Sequence, residues 1–191
     1  MLSQALIFLI VTLCDLFALS LLLRFMLQLL RAPARSQVSQ FLAALTDFAV
    51  RPARRVVPGL WGLDLATLAL AWLTQVAQIW VVLHIRGYEF GAAVGTALVA
   101  LALLAAVQLL RLAIYVVIVA VVLQAVLSWV NPYSALAPLL ASVTRPFLRP
   151  FRRFVPTIAN VDLSPLFVLI ICQLLLTVPF VWFEALLRRM L

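Results

Sequence analysis

The chain has 191 residues, of which 67% are hydrophobic and only 10% are charged. No water-soluble domain tolerates this composition, because most of its surface would have to be apolar, so the sequence predicts an integral membrane protein. The formal charge of +8 comes from 14 arginines, with no lysine, against six acids. Membrane orientation explains this excess better than nucleic acid binding, which is disfavoured.

Apolar blocks along the chain predict membrane-spanning helices. Residues 2–30 are long enough for one span, since about 20 helical residues cross roughly 30 Å of hydrocarbon. Residues 65–85 form a second candidate span, and residues 163–187 form the last one. In this last block, Pro165 suits the first helical turn and Pro179 predicts a kink. The sequence therefore predicts an all-α, polytopic transmembrane protein.

The block from residue 91 to residue 130 is too long for one simple span. As a continuous helix it would run about 60 Å, roughly twice a bilayer core. We expect one net crossing, with residues 91–108 as a re-entrant or sharply bent helical piece; two crossings are the alternative. On this interpretation residues 1–86 and 105–191 are two repeats, and residues 87–104 are an apolar connector rich in Gly and Ala.

The distribution of arginine favours four net crossings. Nine of the 14 arginines lie in two loops, one between the first two candidate spans and one before the last span. With one net crossing by residues 91–130, both loops lie on the cytoplasmic side, as the positive-inside rule requires, and both termini lie outside. We therefore predict a multi-pass protein of the bacterial inner membrane with cytoplasmic basic loops.

A motif recurs in the two basic loops. Residues 51–64 read RPARRVVPGLWGLD and residues 149–162 read RPFRRFVPTIANVD. Each copy spaces three arginines at i, i+3 and i+4, so that they share one side of a helical turn. These arginines are Arg51, Arg54 and Arg55 in the first copy, and Arg149, Arg152 and Arg153 in the second. Guanidinium groups suit anionic lipid headgroups or an acidic partner; the alternative is that they only set topology.

Two prolines and a closing aspartate frame each arginine cluster. The first proline suits the start of a new helical turn, and the second suits its end. The aspartate precedes a transmembrane run, where it can cap the first turn; an ion pair with the arginines of either copy is the alternative, and both can hold at once. The residues are Pro52, Pro58 and Asp64 in the first copy, and Pro150, Pro156 and Asp162 in the second.

Short amphipathic helices are predicted just before each copy of the motif. Ser36 or Ser39 can cap the first helix, and Ser134 can cap the second. Apolar residues recur on one face at helical spacing. They are Phe41, Leu42, Leu45 and Phe48 in the first helix, and Leu136, Leu139, Leu140 and Val143 in the second. Such helices are typical of segments that lie in the membrane interface.

Ionisable residues inside the predicted spans are costly and call for a partner or water. Asp15 lies near the centre of the first span, and Arg24 faces roughly the opposite side of that helix, so the two do not readily pair. Arg111 is expected to snorkel or pair. The candidate neighbours of Asp15 are Arg111, Gln75, Gln78, Gln108 and Gln124. The cluster either fastens helices together or forms an ion or proton path.

The chain contains one unit twice: a span, an amphipathic loop, a Pro-x-Arg-Arg-x-x-Pro segment and a further span that opens with Asp. This duplicated unit resembles the YggT family, called YlmG in other lineages. The resemblance covers nearly the whole chain as repeats of about residues 2–86 and 105–188. It implies no enzymatic activity, and loose links to osmotic tolerance, division, nucleoid organisation and assembly of membrane complexes. The family motif corresponds to Pro52, Arg54, Arg55, Pro58 and Asp64, and to Pro150, Arg152, Arg153, Pro156 and Asp162. The repeats differ upstream, where Thr46-Asp47 faces Thr144-Arg145, so the two loops need not be equivalent.

No pattern in the sequence indicates catalysis, a cofactor or a metal. The acids cluster neither with the single histidine, His84, nor with Cys14 or Cys172, and no phosphate-binding loop or nucleophile elbow is present. The favoured function is a non-enzymatic membrane scaffold or assembly factor that acts through its cytoplasmic arginines. A small ion channel or transporter, or an accessory subunit of one, is the alternative.

Association with other membrane proteins is also predicted. A four-span protein of this size buries little surface on its own, so we expect a homo-oligomer or a larger partner. Gly87, Gly91 and Gly95 are spaced by four residues, which would permit close contact between helices.

Overall fold

A computed structural model describes residues 2–32, 36–57, 59, 64–88, 94–131, 134, 136–154 and 162–188. These residues form α-helices and no strand, which confirms the all-α prediction. The helices are α1 (Leu2–Leu29), α2 (Gln37–Val56), α3 (Leu65–Ile85), α4 (Val94–Val130), α5 (Ala137–Phe154), α6 (Ser164–Thr177) and α7 (Pro179–Arg188).

Four stretches of the described residues are long and apolar enough to cross a membrane: Leu2–Leu29, Leu65–Ile85, Gly95–Val130 and Ser164–Leu187. The chain is therefore a multi-pass membrane protein, and the prediction of four spans is confirmed. The last span combines α6 and α7, which are separated at Val178 because Pro179 has no N–H to continue the helix. Pro165 lies in the first turn of α6, as predicted.

Helix α4 corrects the expectation of a re-entrant piece between residues 91 and 108. Residues 91–93 lie outside the described residues, and from Val94 to Val130 the helix is continuous. This stretch contains no proline, and its single glycine, Gly95, lies in the first turn, so nothing in the sequence interrupts the hydrogen-bond ladder. Its 37 residues extend about 55 Å, so one crossing must tilt or project beyond the hydrocarbon core.

Each repeat contains a span, a shorter helix and a second span that contact one another. Helices α1, α2 and α3 form the first repeat, and α4, α5 and α6 form the second. The repeats meet where α3 packs on α4, and there the indole Nε1 of Trp72 donates to the carbonyl of Ala102 at 3.1 Å.

The shorter helices α2 and α5 lie at the same end of the molecule. One cluster of buried apolar side chains contains Leu42 from α2 together with Leu139 and Leu140 from α5. Both helices also bury matching positions of the repeat. These are Leu42, Thr46 and Val50 in α2, and Leu140, Thr144 and Leu148 in α5. The two repeats are therefore arranged in parallel, with their basic segments at one end.

The prolines of the basic segments do not begin new helical turns, contrary to the sequence prediction. Helices α2 and α5 are continuous, with Pro52 inside the first and Pro146 and Pro150 inside the second. These prolines are exposed, so the carbonyl that each leaves unbonded within the helix can accept from water or headgroups. Pro58 and Pro156, predicted to end the turns, lie outside the described residues.

The predicted serine caps have different outcomes. The hydroxyl Oγ of Ser36 accepts the N–H of Ser39 at 3.1 Å and caps α2, so the choice of Ser36 is confirmed. The hydroxyl of Ser134 has no hydrogen-bond partner among the described residues, so the cap predicted there is wrong.

The predicted stripe of small residues is not a helix face. Gly87 lies in the turn that follows α3, with φ of +76°, a conformation that glycine adopts readily. Gly91 lies outside the described residues, and Gly95 lies in the first turn of α4. Oligomer formation therefore stays a prediction without this support.

Candidate functional site

The charged residues at the junction of α2 and α3 are defined as the first corner: Asp47, Arg51, Arg54, Arg55 and Asp64. Arg54 donates from Nε to Oδ2 of Asp64 at 3.1 Å, and its Nη2 contacts the same oxygen. Asp64, only 5% exposed, also accepts the N–H of Thr67 at 3.4 Å and its hydroxyl at 2.6 Å. Asp64 therefore caps α3 and pairs with an arginine of its own repeat at the same time.

These contacts perturb the ionisation of the Arg54 and Asp64 pair. Burial acts most strongly on the pKa of Asp64 and would raise it, but the hydrogen bonds from Arg54 and Thr67 together hold it below its ordinary value. The hydrogen bond to Asp64 raises the pKa of Arg54. Both groups are thus charged across the physiological range.

Asp47 forms hydrogen bonds with two arginines, Arg51 of the first corner and Arg24 of the adjacent helix α1. Oδ1 accepts from Nη1 of Arg24 at 2.7 Å, and Oδ2 accepts from Nη2 of Arg51 at 2.9 Å. The hydrogen bond from Arg24 is the main cause of the lowered pKa of Asp47. Arg24 also donates to the hydroxyl of the fully buried Thr46 at 2.7 Å. The arginine at the end of the first span is thereby neutralised.

The second corner is defined as Arg145, Arg149, Arg152, Arg153 and Asp162. Arg152 donates from Nε to Oδ2 of Asp162 at 2.8 Å, ten residues away, at the same sequence separation as Arg54 and Asp64. Oδ1 of Asp162 accepts the N–H of Ser164 at 2.9 Å. Burial would raise the pKa of Asp162, but these contacts lower it. Both aspartates therefore pair with an arginine of their own repeat within the described residues, but only Asp64 is the N-cap of the following helix. The N-cap position of α6 is Leu163, so the cap predicted at Asp162 is wrong, although Asp162 accepts the first helical N–H.

The corners differ where Arg145 replaces Asp47. On α5 the buried Thr144 donates to the side-chain carbonyl of Gln124, which is neutral, whereas Thr46 meets the charged Arg24. Helix α4 therefore places no arginine beside Thr144 that an acid would have to neutralise. Position 145, which matches Asp47, carries a further arginine instead. The second corner therefore has the larger positive charge.

Several arginines of the corners stay exposed. Arg51 and Arg54 turn to different acids, Asp47 and Asp64, so the predicted trio with Arg55 does not converge on one partner. Within the described part of the chain, no acid pairs with the remaining corner arginines. These are Arg55, Arg145, Arg149 and Arg153, and all are exposed.

A cavity of about 350 Å³ adjoins the first corner. Three guanidinium groups line it, from Arg24, Arg31 and Arg54, beside polar groups of Gln28 and Ser39. The sequence did not single out Arg31, which adopts a positive φ of 52° just after α1 ends. This lining is a candidate for binding an anionic group, although Arg24 and Arg54 already donate to Asp47 and Asp64.

The polar residues predicted inside the spans divide into separate groups. The side chain of Gln75 donates from Nε2 to Oδ1 of Asp15 at 3.0 Å. Gln78, Gln108 and Arg111 line a cavity of about 220 Å³ with this pair. Gln124 does not join them, since it bonds to Thr144 on α5.

The two intramembrane arginines each find an acid. Of the two alternatives expected for Arg111, snorkelling or pairing, the structure shows pairing, with Glu184 of α7 at 2.8 Å. Arg24 pairs with Asp47. Sequence reasoning missed Asp47 and Glu184 as partners. Asp47 carried a usable signal, because it lies four residues before Arg51 on a helix.

Comparisons with known proteins extend over most of the chain. A family model described as CCB3/YggT matches residues 3–85 and 103–183. An uncharacterised protein of Pseudomonas aeruginosa is 36% identical over 176 residues, or 91% of this chain and 87% of that protein.

More distant relatives show the same coverage. An uncharacterised protein of Haemophilus influenzae is 33% identical over 89% of this chain and 88% of its own length. The uncharacterised protein YggT of Escherichia coli K12 is 28% identical over 88% of this chain and 85% of its own length. No solved structure matches.

Proposed function

This chain belongs to the CCB3/YggT family, and from that premise we propose that it is a non-enzymatic scaffold or assembly factor of the bacterial inner membrane. On this proposal both corners face the cytoplasm and bind anionic groups at the membrane surface. The observation that carries the proposal is the presence of two corners at one end of the molecule, each with an aspartate-anchored helix junction and exposed guanidinium groups.

Charge supports binding of anions at this end. In the first corner two aspartates offset the three arginines of the motif, whereas in the second corner a single aspartate, Asp162, faces four arginines. Anionic headgroups attract each nearby arginine by about 1 kcal/mol. The second corner is therefore the stronger candidate for binding, whereas the first corner adjoins the cavity lined by Arg24, Arg31 and Arg54.

Exposed apolar side chains on α2 favour lipid as the anionic partner. Phe41 and Phe48 are exposed on the helix that carries Arg51, Arg54 and Arg55. A helix with exposed aromatic rings and arginines suits the membrane interface, where rings enter the acyl region and guanidinium groups reach phosphate. An acidic partner segment would use the same arginines.

Lipid capture tests the proposal. Native mass spectrometry of the detergent-purified protein would count bound phosphatidylglycerol and phosphatidylcholine. We expect preferential retention of phosphatidylglycerol, and about tenfold to thirtyfold weaker retention after the double change Arg149→Gln and Arg153→Gln, since two arginines contribute about 2 kcal/mol.

Arg86→Gln is the matched control, because Arg86 is exposed at the opposite end of α3. Equal retention of both lipids, or an equal loss in the Arg86 variant, would leave the arginines with a role in topology alone. A photoreactive residue at position 55 or 153, activated in native membranes, separates the two partner classes by the mass of the adduct.

A further inference from the structure

A polar cavity lies between spans α1, α3 and α4, midway along their lengths. Its volume is about 220 Å³, and its polar lining residues are Asp15, Gln75, Gln78, Gln108, Arg111 and Tyr115. Gln75 is 1% exposed and Gln78 is 5% exposed, so these amides are shielded from bulk solvent. Polar side chains at this depth are costly unless something satisfies them.

Three of the glutamines that line this cavity have a side-chain oxygen without a hydrogen-bond partner among the described residues. The amide of Gln75 must turn Nε2 towards Asp15, because a carboxylate accepts hydrogen bonds, and this leaves Oε1 without a partner. Oε1 of Gln78 and Oε1 of Gln108 also have no hydrogen-bond partner within the described residues. Three buried acceptors therefore share the cavity with one carboxylate.

The charges around the cavity leave one negative charge uncompensated. Arg111 is the cation that lines the cavity, but it pairs with Glu184 from α7 at 2.8 Å. Arg24 on the same helix as Asp15 pairs with Asp47, away from the cavity. An ionised Asp15 has no cationic partner among the described side chains. A lone carboxylate at this depth favours a bound cation.

We propose that the cavity binds one monovalent alkali cation, held by the carboxylate of Asp15 and the amide oxygens of Gln75, Gln78 and Gln108. Hard cations take oxygen ligands, and amide carbonyls replace the hydration shell of alkali ions in membrane channels. A single positive charge neutralises Asp15, whereas a divalent ion would leave an excess charge in the membrane. The site is independent of the arginine corners and of the function proposed for them.

Cation-dependent stability tests the site. The full chain is purified in detergent, and its melting temperature is measured by tryptophan fluorescence in sodium, potassium or N-methyl-D-glucamine chloride at equal ionic strength and pH. We expect sodium or potassium to raise the melting temperature saturably, because a ligand that binds only the folded state stabilises it. The organic cation is too large for the site.

Variants locate the effect. Asp15→Asn should abolish the alkali-dependent shift, and Gln78→Met should weaken apparent cation affinity by roughly tenfold, the consequence of losing one ligand. Gln173→Met is the matched control, since Gln173 lies on α6 and does not line the cavity. It should retain the wild-type shift.

Two outcomes would overturn the proposal. Equal melting temperatures in all three salts would mean that the cavity binds no alkali cation. An unchanged shift in Gln78→Met and Gln108→Met would place the cation elsewhere. Both glutamine variants remove oxygen without adding charge, so they give an answer even if Asp15→Asn does not fold.

Discussion

At the scale of single residues, one aspartate in each repeat binds both an arginine and a residue at the start of the next span. Asp64 accepts from both Arg54 and Thr67, and Asp162 accepts from Arg152 and Ser164. The first is almost fully buried, whereas the side chain of Asp162 is 31% exposed. Solvent screens the second pair more strongly, so the two aspartates are not expected to stabilise the fold equally.

Asp64→Asn should lower the free energy of unfolding by about 2–3 kcal/mol, because it leaves Arg54 without its anion and weakens the cap of α3. Asp162→Asn should cost about 1 kcal/mol. Denaturation in mixed micelles, followed by tryptophan fluorescence, measures both. Arg149→Gln is the control and should change stability little, since Arg149 is exposed and no described acid pairs with it. Equal losses in both aspartate variants would contradict the role assigned to burial.

The stability provided by the aspartates should depend on pH in a defined direction. The pKa values of Asp47, Asp64 and Asp162 are all lowered in the folded chain. As pH falls, the unfolded chain binds protons first, so the folded state loses relative stability. The stability difference between wild type and Asp64→Asn should be constant at neutral pH. It should shrink as pH drops below about 4, the ordinary range of aspartate. A stability difference that grew at acid pH would show that the pKa of Asp64 is raised in the folded chain, not lowered.

At the scale of elements, α2 and α5 explain how proline-containing helices remain continuous. Each buries a stripe of residues spaced by four, such as Leu42, Thr46 and Val50, against the spans. Pro52 and the arginines lie on the exposed side. The hydrogen bond that proline removes is therefore lost on the exposed face, where water can donate to the carbonyl that lacks its N–H partner. Burial of the opposite stripe outweighs the local helix penalty of proline.

Pro52→Ala should leave stability unchanged or raise it by about 1 kcal/mol. The alanine restores a backbone N–H inside α2, and the greater entropy of the unfolded chain offsets part of this gain. Thermal unfolding in detergent measures the change, with Pro52→Gly as the comparison that adds backbone freedom and should destabilise. A clear loss of stability in Pro52→Ala would instead indicate that the proline begins a separate turn.

At the scale of the whole molecule, the parallel repeats bring both corners to one end. The spans α1 and α4 run in the same direction, so the basic segments that follow them emerge on the same side. Two cationic corners from one short chain can contact one membrane surface together. The polar cavity with Asp15 lies within the spans, separate from the corners.

Reporter fusions test the orientation of this arrangement. Alkaline phosphatase fused after Tyr88 should be active, because the proposed orientation places that site, which follows two spans, outside the cytoplasm. Green fluorescent protein fused after Thr157 should fluoresce, since the second basic loop is expected in the cytoplasm. Exchange of the two reporters provides the control. Phosphatase activity at Thr157 would refute the proposed orientation.

Local patterns in the sequence determined the four spans, the duplicated basic motif and the capping role of Asp64. Hydropathy, repeat spacing and short-range hydrogen bonds need no knowledge of how helices pack. The absence of proline from residues 94–130 also predicts that α4 is continuous, whereas the length of this block by itself favoured a bend or a re-entrant piece.

Tertiary structure alone decided which polar residues meet. The spans are apolar on all sides, so periodicity does not show which face of each one is buried. The pairing of Arg111 with Glu184 and of Arg24 with Asp47 depends on helix rotation and register. The same holds for the cavity that brings three glutamines to Asp15. Those quantities are set by side-chain packing between distant segments, and this is why the cavity emerged only from the folded chain.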